Sequence, residues 1–255
     1  MQPVLISLGA FGAAEVRRHG QLGFARLARD AGADGVEVRG ELLVDAAREL
    51  PALADALRGS GAALVYSSPE GLWSDEGALD AGALGRAIDS AQALGAPRLK
   101  MSIGGFGAAS LSSFAALAQR LEAAPIELLV ENDQTVSAGT VPALQRFFGA
   151  ADEAGLPLAM TFDMGNWHYV GECPQQAVAA LGARVRYVHC KGVHRQPQRW
   201  VAVPLADSVA PWRAVLRALP AGQPWAIEYP LQGEDLLAVT RREIAQLRAV
   251  AASLR

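Results

Sequence analysis

Lysine is nearly absent from this chain: Lys100 and Lys191 stand alone against 21 arginines. No basic block gathers that arginine charge, and the net charge is −3 with a pI near 5.8. The chain therefore lacks the cationic surface that a nucleic-acid backbone demands. Cysteine is equally scarce. Cys173 and Cys190 show no CxxC spacing, and their scarcity points to a reducing compartment. No apolar run approaches the ~18–20 residues that span a bilayer. The apolar stretch Pro3-Val-Leu-Ile-Ser-Leu-Gly-Ala-Phe-Gly12 has no positive flank before it and is too short and Gly-broken for a signal peptide. These absences predict a cytoplasmic protein with neither a membrane nor a nucleic acid as partner.

What is present is ordinary globular material. With 255 residues, 51% of them hydrophobic and 19% charged, the chain can build one large core. Short β-rich apolar runs occur at Val4–Leu8, Gly35–Val38, Ala62–Tyr66, Arg98–Ile103, Glu127–Val130, Leu158–Phe162, Val185–His189 and Trp225–Tyr229. Between them lie Ala/Leu/Arg-rich stretches with apolar residues at helical spacing: Leu22–Ala33, Asp45–Arg58, Asp80–Leu94, Leu111–Ala123, Thr140–Ala154, Gln175–Leu181, Val209–Leu219 and Leu236–Leu254. No linker or charge run divides the chain, and the longest non-helical connection is His194–Ser208. Strands alternating with helices build parallel sheet, and eight such units in ~250 residues match a (β/α)8 TIM barrel. An open doubly wound sheet is the rival, but Gly9-Ala-Phe-Gly12 after the first strand does not follow the GxGxxG pattern. The expectation is an α/β single-domain barrel over residues 1–255.

Catalytic groups of such a barrel sit at the C-terminal ends of its strands. Those ends carry Glu37 and Arg39, Lys100 and Ser102, Glu131, Asp163, His189 and Lys191, and Glu228. Strands five to eight thus offer Glu131, Asp163, His189 and Glu228 in turn, 32, 26 and 39 residues apart, each about one βα unit. Adjacent strands lie ~4.8 Å apart, so their end residues can converge. Three carboxylates and an imidazole brought together repel and lose solvation unless a cation joins them. Three oxygens and one nitrogen suit one divalent ion: Mn²⁺, Mg²⁺, Co²⁺ or Zn²⁺. Taken singly, each residue also reads as a helix cap, a surface acid or a structural histidine; it is the set of four on successive strands that points to a metal.

The segments Gly32-Ala-Asp-Gly-Val-Glu37, Val130-Glu-Asn-Asp133, Phe162-Asp-Met-Gly-Asn166, Tyr187-Val-His-Cys-Lys191 and Ala226-Ile-Glu228 resemble the xylose isomerase-like TIM barrels. That group holds sugar phosphate isomerases and epimerases, family 2 apurinic endonucleases, inosose dehydratases and dehydroshikimate dehydratases. In its ketose epimerase branch a Glu-Asp-His-Glu set binds one divalent metal and the two glutamates also move protons. The resemblance places these roles on Glu131, Asp163, His189 and Glu228, and a substrate-holding arginine on Arg195. That branch usually has His three residues after the metal-binding Asp; this chain has Asn166 there, with His168 two further on. Lys100 is not a general feature of the group. The group's endonucleases bind a three-zinc cluster with many histidines, whereas this chain has only His19, His168, His189 and His194.

The resemblance implies a metal-dependent isomerase or epimerase of a small keto-sugar or sugar phosphate. It would work through a metal-stabilised enediolate, with Glu131 and Glu228 as acid and base. Lys100 joins them as a candidate catalytic residue or anion anchor. Glu37, Arg39, Asn166, His168, Lys191 and Arg195 are the candidate substrate-binding residues. If a β-hydroxyl leaves instead, the same site is a dehydratase, and a β-carboxylate makes it a decarboxylase; a non-catalytic barrel is the remaining alternative. A small carbohydrate is the expected partner, and a homodimer is compatible with the group's habits.

Overall fold

Two residue periods organise the chain, one of two for strands and one near 3.6 for helices. The computed structural model describes residues 2–254. Its strands are β1 (Val4–Ser7), β2 (Gly35–Arg39), β3 (Ala63–Trp73), β4 (Arg98–Gly104), β5 (Glu127–Glu131), β6 (Ala159–Asp163), β7 (Val185–Cys190), β8 (Gly192–Arg195), β9 (Trp200–Val203) and β10 (Trp225–Ile227). Eight of them close a parallel barrel in the order β1-β10-β7-β6-β5-β4-β3-β2, and β8 and β9 form a separate antiparallel hairpin. Among the described residues no helix is long and apolar enough to cross a membrane.

The helices begin where short acids can accept backbone N–H groups. Asp45, Asp80 and Asp235 cap the helices Ala46–Leu57, Ala81–Leu94 and Leu236–Ser253 by accepting from Arg48, Ala83 and Ala238. The second of these ends at Gly95, whose φ of 72° is left-handed backbone that a side chain disfavours. Apolar faces of these helices pack on the outward residues of the barrel. One dense contact joins Trp73, Phe106, Phe114, Phe147 and Phe148, with ring centroids 5.0–6.1 Å apart.

Inside the barrel, Leu5, Val65, Leu129, Tyr187 and Ala226 make their own apolar cluster. Two residues further along each strand the same inward face carries Ser7, Ser67, Glu131, His189 and Glu228. The interior is thus an apolar plug with a polar storey above it, at the C-terminal end.

Several boundaries differ from the sequence reading. The strand expected to stop at Tyr66 runs on to Trp73 through an irregularity between Ser67 and Gly71. The last strand ends at Ile227, so Glu228 lies one residue beyond it, its N–H donating to Cys190 O at 3.1 Å. The helix expected from Val209 starts at Trp212, after Pro211. The non-helical connection His194–Ser208 carries most of a hairpin: β8 and β9 pair from Gly192↔Val203 to Arg195↔Trp200. Its strands are four residues each, too short to announce themselves as a period.

Phe147 is fully buried at the centre of the aromatic contact. Phe147→Ala is expected to lower unfolding free energy by about 3–5 kcal/mol in urea titrations, without moving the residues of the barrel mouth.

Candidate metal centre

The polar storey is built from strand ends. Glu131 and Asp163 are the last residues of β5 and β6, and His189 on β7 pairs in register with Asp163 on one side and Ala226 on the other. Glu131, Asp163, His189 and Glu228 each offer one ligand atom, and the four atoms lie within 4.8 Å of one another. Asp163 and His189 are wholly buried, while the Glu131 and Glu228 side chains keep 14% and 12% of their surface exposed. That difference leaves the two glutamates as the members a small molecule can reach.

Each group is oriented by its neighbours. Asp163 Oδ1 accepts from the backbone N–H of Gly165 at 2.8 Å and of Asn166 at 3.0 Å, leaving Oδ2 for the centre. Asn132 clamps the Asp163 backbone, accepting from its N–H at 2.9 Å and donating to its carbonyl at 3.0 Å. Asn166 Nδ2 closes the lattice by donating to Asn132 O at 2.9 Å. Asn132 was missed by residue chemistry alone; its signal is its place directly after Glu131 in the segment Val130-Glu-Asn-Asp133.

His189 Nδ1 lies 2.8 Å from Glu131 Oε1, 3.0 Å from Glu228 Oε2 and 3.9 Å from Asp163 Oδ2. Yet neither Nδ1 nor Glu228 Oε2 has a hydrogen-bond partner of acceptable geometry among the described residues, and both atoms are buried. A ring nitrogen directed at three carboxylates without hydrogen-bonding them is what a bound cation between them requires. The residues therefore fit one divalent ion held by three carboxylate oxygens and Nδ1, a set suited to Mn²⁺, Mg²⁺, Co²⁺ or Zn²⁺.

Protein cations surround the same carboxylates. Lys100 Nζ pairs with Glu131 Oε2 and lies 3.9 Å from Glu37 Oε1. Lys191 Nζ lies 2.6 Å from Asp163 Oδ2, 2.8 Å from Glu228 Oε2 and 3.1 Å from Asn166 Oδ1. Arg39 pairs with Glu228, with Glu37 at 3.1 Å and with Glu41 at 2.8 Å. Burial works to raise the carboxyl pKa values. At Glu228 it is overcome by His189, Lys191 and Arg39, which hold that group well below the usual range. At Glu131, Lys100 and His189 likewise outweigh it, and the pKa falls. At Asp163 burial prevails over Lys191 and His189, and the pKa rises. His189 is pushed well above its ordinary value because Glu228, Glu37 and Glu131 outweigh its burial.

The structure thus gathers Glu37, Arg39, Lys100, Asn166 and Lys191 around the four ligands. Glu37 and Lys100 are 0% and 2% exposed and contact other side chains of the cluster. His168 and Arg195 both meet Trp200. The His168 ring lies 5.0 Å from Trp200, and Arg195 lies over the same Trp200 ring at 5.5 Å on the exposed hairpin. Beside the centre opens a cavity of about 360 Å³ whose lining includes Ser7, Arg39, Glu41, Lys191, Glu228 and Tyr229. Its wall also takes in Gly9, Ala10 and Gly12 after β1, residues that carry no functional group for a sequence reading to notice.

Comparison with known proteins agrees with this architecture. An L-ribulose 3-epimerase superposes with a TM-score of 0.75 at 16% identity, covering 100% of this chain and 96% of that one. A xylose isomerase domain containing protein from Salmonella typhimurium gives 0.73 at 15%, covering 98% and 97%. A probable 3-DHS dehydratase from Bacillus anthracis, involved in petrobactin synthesis, gives 0.71 at 13%, covering 97% and 99%. At these identities the likeness is one of fold. No curated protein matches the chain. The family model described as xylose isomerase-like TIM barrel matches residues 25–250, nearly the whole chain. The chain belongs to the xylose isomerase-like TIM barrel family.

Proposed function

We propose that this protein is a divalent-metal-dependent isomerase or epimerase of a small keto-sugar or sugar phosphate, with Glu131 and Glu228 as its proton-transfer pair. One observation carries the reading. The two partly exposed glutamates reach the same His189 nitrogen from strand ends separated by β6 and β7, and each has its own cation behind it. A bound divalent ion supplies Lewis acidity toward a carbonyl oxygen and the hydroxyl beside it. Glu131, held ionised by Lys100, is set to accept the proton from the carbon next to that carbonyl. Glu228, held ionised beside Lys191 and Arg39, approaches from the other side of the centre; it would first take up a proton from solvent and then return it to the opposite face. Removal on one face and return on the other inverts a carbon, and return to the neighbouring carbon moves the carbonyl. The cavity has the volume of sites that enclose small ligands, and Arg39 and Lys191 on its wall can hold substrate oxygens.

A lyase reading has one feature in its favour. Lys191, which lines the cavity beside Glu228, presents an ammonium to the space where a departing hydroxyl or a substrate carboxylate would sit. Asn166, not a histidine, is its companion. A dehydratase or decarboxylase acting on a keto-sugar acid would use both.

Glu131→Gln or Glu228→Gln is expected to slow exchange of the substrate α-proton with D₂O by about 10²–10⁴-fold; undiminished exchange in both variants ends the two-glutamate reading. The substrate comes from a screen of ketoses, keto acids and their phosphates with added Mn²⁺, followed by mass. An unchanged product mass supports isomerisation, loss of water supports the dehydratase, and loss of CO₂ supports the decarboxylase. Lys100→Met leaves Glu131 and the buried Glu37 short of a counter-charge. It is expected to cost about 3–5 kcal/mol of stability in metal-free protein and to depress turnover of neutral and acidic keto-sugars alike. Selective loss on the acidic ones would instead make Lys100 an anion anchor.

A further inference from the structure

We propose that Glu37 is a positioning residue that fixes the His189 imidazole with its proton on Nε2, so that Nδ1 presents a lone pair to the divalent ion. The proposal rests on the metal-site reading and extends it to a side chain that touches neither ion nor substrate.

Glu37 sits on β2, and His189 on β7; two strands, β1 and β10, lie between them in the barrel. The Glu37 carboxylate nonetheless reaches Nε2, with Oε2 at 2.7 Å. Its other oxygen, Oε1, accepts from Ser7 Oγ at 3.2 Å and Arg39 Nη1 at 3.1 Å, with Lys100 Nζ at 3.9 Å. The neighbours named are donors or cations, and an ionised carboxylate only accepts. Nε2 must then be the donor. A neutral imidazole with its proton on Nε2 has one lone pair left, on Nδ1, and Nδ1 is the atom directed at Glu131, Asp163 and Glu228 without a hydrogen bond. Tyr187, two residues back on the same face, meets the ring edge-on at 5.1 Å and 78° and resists its rotation. Glu37 is 0% exposed, so it acts on a ligand only through the side chains it holds, His189 first among them and Arg39 beside it. Carboxylates behind a metal-bound histidine typically contribute 10–100-fold to metal affinity.

The test has two arms on the full-length protein. In the first, a long-range ¹H–¹⁵N spectrum of histidine-labelled, Zn²⁺-loaded wild type should show His189 protonated at Nε2 and metal-bound at Nδ1; the reverse pattern overturns the proposal. In the second, Mn²⁺ affinity is measured by titration for wild type, Glu37→Leu and Glu37→Gln. Glu37→Leu should bind about 10–100-fold more weakly, while Glu37→Gln, whose amide oxygen still accepts from Nε2–H, should recover most of that loss. Equal affinity in Glu37→Leu and wild type overturns the proposal, and so does equal loss in both variants, which would mean that only the charge of Glu37 matters. Wild type that binds neither ion ends the metal-site reading itself, a result distinct from any of these. Should Glu37→Leu fail to fold, the wild-type spectrum decides alone.

Discussion

The mouth of this barrel depends on keeping four carboxylates together where water is largely excluded. Glu37, Glu131, Asp163 and Glu228 converge within one polar storey, and moving even one bare carboxylate out of water costs several kcal/mol. The arrangement holds because Arg39, Lys100, Lys191 and His189 interleave with them. Each cation bridges at least two acids from different strands, so the charges also lock the strand ends to one another. A divalent ion would add to this network around His189 Nδ1, which is buried without a hydrogen-bond partner among the described residues.

Below that storey the barrel is filled by Leu5, Val65, Leu129, Tyr187 and Ala226. The apolar plug supplies the burial that the polar storey cannot, and it gives the ligands a rigid floor. Function and stability are therefore stacked along the same inward face, two residues apart on each strand. The scarcity of lysine follows the same division. Arginine serves the surface in pairs such as Arg58 with Asp55 and Arg86 with Glu70, where each pair is worth little. Both lysines are buried in the carboxylate cluster, where a compact ammonium fits between two acids.

The reaction is less constrained than the centre. A Lewis-acidic ion flanked by two glutamates can move a proton, release a hydroxyl or assist loss of CO₂, and the family contains more than one of these outcomes. In this chain the cavity wall carries Arg39 and Lys191 beside Glu228, with Asn166 accepting from the lysine.

Much of this was legible in the residues. Alternating apolar runs and amphipathic stretches specify a parallel α/β barrel because their periods decide which elements form, and Glu131, Asp163, His189 and Glu228 declared themselves by falling at the ends of successive runs. The hairpin of β8 and β9 was not legible, since four-residue strands carry too little periodicity. Nor were the partners of Glu37 and Arg39. Period places a side chain on a face and at a height along its strand, but closure of the sheet decides which distant side chain it meets. Only closure brings Glu37 to a histidine 152 residues later and Arg39 to a glutamate 189 residues later. Lys100 meets Glu131 from the neighbouring strand β4, and Arg195 lies on the separate hairpin. The sequence by itself determined the barrel and its candidate ligands; the tertiary structure alone decided which charges pair, because that depends on distances across the barrel that no local pattern encodes.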